Sequence, residues 1–178
     1  MKEKALEDRS RTLHRLVDLW WLWAIAALAA GAITTAAAQG FPIVELELAV
    51  TAERADEVMR GADIDAIQAA ILWDFLFIFF YAPALFFGSL WARRQFSGDL
   101  GRRTGTVIAV GGLIAGALDL VENVAMLAYL RDPGAWDGWN LLSAAMAIPK
   151  FILVLVAVGY ILLGIGLAIG RRVSRRVQ

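Results

Sequence analysis

The chain has 178 residues, 60% hydrophobic and 19% charged, with a mean hydropathy of +0.63. A soluble domain carries about 45–50% apolar and ~25% charged residues, so this excess excludes a disordered chain and points to a membrane protein. No cysteine is present, His14 is the single histidine, and 17 basic residues balance 17 acidic ones. These counts exclude disulfides, thiol catalysis, iron–sulfur clusters and a multi-histidine metal site, and no metal or other cofactor is expected.

A charged arm over residues 1–18 comes first. In it Leu6, Leu13, Leu16, Val17 and Trp20 recur at helical spacing. That pattern fits an interfacial helix leading into the membrane, and equally a solvated basic anchor. Four apolar blocks follow, at Leu19 to Ala38, Gln68 to Trp91, Thr106 to Leu130 and Leu141 to Ile169. Each has the ~20 residues a membrane helix needs, and in lipid each backbone group must be satisfied within its own segment, so all four are predicted helical. With its basic arm and Ala36-Ala37-Ala38, the first block has the outline of a signal peptide. At about 20 residues it exceeds the 7–15 of such a segment, and an uncleaved anchor is expected.

Between the first two blocks, residues 40–67 carry Glu45, Glu47, Glu53, Asp56, Glu57, Asp63 and Asp65 against Arg54 and Arg60. The alternation Glu45-Leu46-Glu47-Leu48 predicts a short extended piece. Thr51 is placed to cap a helix running to Met59 or Arg60 and ended by Gly61, and Asp63 to cap the helix that enters the second span. Ala55, Val58 and Met59 would then face the bundle or the membrane surface. This segment reads either as a lid over one end of the bundle or as a solvated acidic loop; it lacks the spacing of a calcium loop.

Charge sets the expected orientation. Thirteen of the 17 basic residues fall in the arm, the 2–3 connection (Arg93, Arg94, Arg102, Arg103) and the tail (Arg171, Arg172, Arg175, Arg176). The positive-inside rule therefore places both termini in the cytoplasm. Trp20, Trp21, Trp23, Trp91, Trp136 and Trp139 sit near span ends, as an aromatic belt would. The expected architecture is an all-α, four-transmembrane-helix bundle in the cell membrane. Residues 1–18 are its cytoplasmic basic arm and 19–178 its single membrane domain, which includes the 40–67 extracytoplasmic loop as a short acidic cap and the 170–178 basic tail.

Ionisable groups inside a span cost ~2.5–3.5 kcal/mol each on insertion scales and mark a functional hypothesis. Span two carries Asp74, span three Asp119, Glu122 and Asn123, and span four Lys150. At about 1.5 Å per residue all four charged positions lie about 9 to 16 Å below the same membrane face. They also share faces: Gly112, Gly116, Asp119 and Asn123 recur at four, three and four; Asp74, Ile78, Tyr81, Leu85 and Gly88 form a stripe in span two, and Ser143, Ala147, Lys150, Val154 and Ala157 one in span four. The Gly112-x-x-x-Gly116 spacing permits close helix approach, and Pro83 and Pro149 are placed to kink their helices near this region. Three carboxyls facing one ammonium imply that at least one carries a proton at pH 7, or that a cation or water reaches them.

Trp73-Asp74-Phe75-Leu76-Phe77 with Tyr81, and Leu118-Asp119-x-x-Glu122-Asn123, resemble segments of a group of uncharacterised bacterial four-span integral membrane proteins that carry D-F-L-F…Y and D-x-x-E-N. The resemblance covers spans two and three and implies the fold, with no activity attached. The residues themselves support three readings. One is a non-enzymatic pocket for a lipid-like or cationic ligand, lined by Asp74, Tyr81, Asp119, Glu122, Asn123 and Lys150. Another is a structural cluster that fixes helix register. The third is an acid–base enzyme acting on a lipid or sterol-like substrate. The first is preferred. Membrane lipids are the expected partners and nucleic acid is not. Gly164, Gly166 and Gly170, or Gly111 and Gly112, offer small-residue faces for a homo-oligomer contact or for packing within the chain.

Overall fold

Each apolar block forms one uninterrupted helix in the computed structural model, which describes residues 14–133, 136 and 138–176. The long helices are α1 (Trp20–Ala37), α4 (Ile64–Ala92), α5 (Asp99–Arg131) and α6 (Trp139–Arg176). Two short ones, α2 (Ile43–Glu47) and α3 (Ala52–Met59), lie between α1 and α4, and a 3-10 turn, Arg93–Gln95, ends α4. No strand occurs among the described residues. All four long helices are long and apolar enough to cross a membrane. Residues 14–18 are also helical, while the amphipathic pattern expected further upstream in the arm, over 1–13, lies outside the described residues.

The burial pattern reverses that of a water-soluble protein. Leu28 and Leu155 are 75% and 70% exposed, whereas Asp119, Glu122, Asn123 and Lys150 are 5% exposed or less. Apolar side chains on the outside suit a hydrocarbon solvent, and charges on the inside escape it. The fold is that of a multi-pass membrane protein.

Helices α4, α5 and α6 pack against one another, and α1 lies along α4. Close approach of α5 to α4 depends on the predicted glycine pair. A Cβ on Gly112 would stand 2.8 Å from Leu85 Cβ, and one on Gly116 2.6 Å from Ala82 Cβ. Gly164 meets Ala92 in the same way, at 2.6 Å, and Gly111 faces Leu153. These glycines serve packing within the chain; a Cβ on Gly166 or Gly170 would meet nothing. Helices α4 and α6 run through Pro83 and Pro149, each of which leaves the carbonyl four residues earlier, at Phe79 and Ala145, without its helical donor.

The two ends of the bundle differ. At the basic end Arg94 pairs with Asp18 at 2.7 Å and reaches His14 Nδ1 at 3.0 Å, and Arg93 donates to Thr106 Oγ1. Trp20 lies 5.6 Å from Trp91, and Phe96 stacks on Tyr160 at 4.9 Å. At the other end the cap forms largely as its turn residues predict. Thr51 Oγ1 accepts from Arg54 N at 3.2 Å, Gly61 takes φ +79°, and Asp63 Oδ1 accepts from the Asp65 and Ala66 amides. Leu46, Ala49 and Ala55 pack with Ile67, Ile71, Met126 and Tyr129 in a second apolar core, with Val58 and Met59 against it.

One element differs from expectation. Residues 45–48 are not extended: Ile43–Glu47 is helical. Pro42 stands at its N-terminal cap with φ −78°, a preset start for a helical turn. A helix brings Leu46 and the adjacent Glu47 inward together, and both are buried while Glu45 stays exposed. Alternation would have put Glu45 and Glu47 on one face.

Candidate functional site

Glu47 is the residue that makes the site. Helix α2 places its carboxylate inside the bundle, where Lys150 Nζ of α6 lies 3.3 Å from Glu47 Oε2. The same ammonium donates to Asp119 Oδ1 and Glu122 Oε1 of α5, each at 2.9 Å. An ammonium has three protons, so all of Lys150's donors are taken by three carboxyls from two different elements. Its Nζ also sits 4.6 Å from the Phe151 ring centroid. Glu122 is fully buried; its Oε2 lies 2.8 Å from Lys150 Nζ as an ion pair but receives no hydrogen bond.

Neutral donors complete the arrangement. Tyr81 of α4 donates its hydroxyl proton to Asp119 Oδ2 at 2.7 Å, and Asn123 Nδ2 donates to Asp74 Oδ2 at 2.8 Å. Ser143 Oγ lies 3.5 Å from the Glu47 carbonyl. All six residues expected at the site fall into two neighbouring hydrogen-bonded groups: Tyr81, Asp119, Glu122 and Lys150 in one, Asp74 and Asn123 in the other. Gly112 and Gly116 act one level away, by letting α4 and α5 come close enough for Tyr81 to reach Asp119.

The helical stripes explain the convergence. Ile78, Tyr81, Leu85 and Gly88 are buried on α4 with Asp74 half-buried, and Ser143, Ala147, Lys150 and Ala157 are buried on α6. Counted from the capped ends of their helices, Asp74, Asp119, Glu122 and Lys150 lie within about 13 to 18 Å along the axis. They form one layer. No residue of α1 joins it: Thr34 and Thr35 donate to the carbonyls of Ala30 and Gly31 in their own helix.

Beside this layer is a cavity of about 270 Å³. Asp74, Phe77 and Tyr81 of α4 form one wall, with Asp119 of α5 behind. Lys150, Phe151 and Val154 of α6 form the other, and Val44 and Glu47 of α2 roof it. The cavity falls between α4 and α6, the loosest-packed pair of the three inner helices. Sequence reasoning did not find the roof. The signal was the helical recurrence of Ile43, Leu46 and Glu47 after a proline, outweighed by a shorter alternating pattern.

The electrostatics are lopsided. Glu47, Asp74, Asp119 and Glu122 share one cation and two neutral donors. The surplus makes the layer rich in acceptors and poor in free donors, so protons or cations suit it and anions do not. For Glu47, which lies outside the spans, burial pushes the carboxyl above its usual 4.5. The Lys150 charge opposes this, the Asp119 charge adds to it, and the hydrogen bond from Lys150 opposes it. The net direction is upward, so Glu47 is a carboxyl that holds a proton more readily than in water. Among the described residues no group of three or more His, Cys, Asp or Glu is arranged to hold a metal ion.

Comparison with family models, with curated proteins and with solved structures returns no match for this chain.

Proposed function

We propose that this protein is a multi-pass component of the bacterial inner membrane, with both termini cytoplasmic, whose cavity in the outer half of the bilayer binds a lipid-like or cationic small molecule. The excess of basic residues at the end opposite the cap supports that orientation. Bacterial origin rests on the likeness of the Asp74–Tyr81 and Asp119–Asn123 segments to uncharacterised four-span bacterial proteins. One observation carries the binding reading: a space of about 270 Å³ adjoins the charged layer instead of being filled by side chains. A cluster that served only to hold helices in register would be expected to close around its own polar atoms. At this size the ligand is smaller than the drug-sized molecules that occupy pockets of about 300–1,000 Å³.

The test is thermal stability of the purified protein in neutral detergent, alone and with fractions of membrane lipid extract and small organic cations. Saturable stabilisation that is lost when Val154→Trp fills the cavity supports binding. If no fraction stabilises the parent, and Asp119→Asn with Glu122→Gln melts much lower at every pH, the cluster is a register device and the binding reading falls.

A further inference from the structure

The four acids of the site are not equivalent. Lys150 donates to Glu47, Asp119 and Glu122 at 3.3 Å or less and spends every proton in doing so. Asp74 is different. Its hydrogen-bond partner is a neutral amide, Asn123, on one oxygen, and no cation lies within ion-pair distance of it among the described residues. It is also half-buried, not enclosed, and lines the open space. One and two helical turns along α4, Phe77 and Tyr81 pair their rings at 4.8 Å and line the same space. Lys150 already occupies the neighbourhood of Phe151, which leaves Phe77 and Tyr81 as the aromatic surface beside Asp74.

A carboxylate with no counter-ion next to aromatic rings attracts a poorly hydrated organic cation on two counts: direct charge pairing, and the negative face of the ring. A neutral lipid tail would use the rings and leave the acid unpaired. An anion would meet three surplus carboxyls. We infer that the cavity's ligand is a small organic ammonium ion, seated with its charge against Asp74 and its alkyl groups against Phe77 and Tyr81, beneath the α2 roof. This rests on the binding reading above and narrows it. The same ammonium chemistry is offered by a free cation and by a choline lipid headgroup.

The probes are choline and its uncharged carbon isostere, 3,3-dimethylbutan-1-ol, titrated into the full-length protein in neutral detergent while thermal stability and calorimetric heat are followed. Choline is expected to stabilise the protein saturably and the alcohol to do so at least about tenfold more weakly, a difference of ~1.4 kcal/mol. Asp74→Asn should weaken choline by a similar factor and leave the alcohol unchanged. Phe77→Leu, which keeps an apolar side chain, should also weaken choline and covers the case in which Asp74→Asn does not fold. Equal effects of the two probes would overturn the cation assignment while leaving a ligand pocket standing. No effect of either would overturn both. Dihexanoyl phosphatidylcholine below its micellar concentration identifies the source: displacement of choline assigns a lipid headgroup, and failure to displace assigns a free ion, each consistent with an ammonium seat.

Discussion

Lys150 is the counter-ion on which the charged layer depends. Breaking a buried ion pair by removing one partner leaves uncompensated charge and typically costs about 3–5 kcal/mol. Lys150→Met is therefore expected to lower stability by that order, read from melting in detergent, even though methionine packs well in an apolar core. A loss near zero would mean that the carboxyls are already neutral or hydrated. Glu47 gives a pH signature of its own. Burial raises its carboxyl above 4.5, so the folded state holds that proton more tightly than the unfolded chain does. The contribution is fully present below the unfolded value and is lost as pH rises through the folded one. The melting temperature of the parent should thus fall more steeply above about pH 4.5 than that of Glu47→Gln. Parallel pH profiles for the two proteins would show that Glu47 makes no such contribution.

At the scale of elements, two contacts decide whether the site can assemble. The first is the glycine seam between α4 and α5. Gly116→Val places a branched side chain where even a Cβ would stand 2.6 Å from Ala82 Cβ, and overpacking of this kind costs about 1–3 kcal/mol. Gly166→Val, on the open face of α6, should change stability by no more than about 0.5 kcal/mol. Melting of the two variants side by side checks this; equal losses would mean that α4 and α5 can part without penalty. The second contact is the cap. Thr51→Ala removes the side chain that accepts from Arg54 N, and loss of such a cap costs about 0.5–2 kcal/mol. The effect should be local. Hydrogen exchange is expected to quicken over residues 52–59 while amides of α5 keep their protection, and uniform quickening would show that cap and bundle open together.

For the whole molecule, the proposed orientation is testable on a clean background because the chain has no cysteine. Glu53→Cys in the cap should react with a membrane-impermeant maleimide on intact cells, and Ser174→Cys near the basic tail only after the membrane is permeabilised. The opposite pattern would invert the topology and place the cavity in the cytoplasmic leaflet. The distribution of apolar surface follows from the same solvent. With Leu28 and Leu155 facing outward, the hydrophobic effect does not draw the helices together inside lipid. Close glycine contacts, hydrogen bonds and the Lys150 network carry that task.

Much of this was legible in the residues because the governing constraints are local. Apolar length and backbone satisfaction determine the four spans, and the 3.6-residue period determines which side of each span carries Asp74, Asp119 or Lys150. Thr51, Gly61 and Asp63 announce the cap's turns through their own side chains and dihedrals. Equal depth along three spans makes a shared layer a consequence of geometry. What one sequence pattern could not decide is how separate elements meet. Glu47 becomes the third acid on Lys150 because α2 lies over the cavity beside α4 and α6, and the three protons of Lys150 go to acids of α2 and α5 and none to Asp74. Span one packs along α4, outside the layer, and its threonines bond to their own helix. The cavity exists because α4 and α6 pack loosely where α5 holds them together. Those outcomes depend on contacts between residues up to 103 positions apart in the chain, which helical periodicity does not encode.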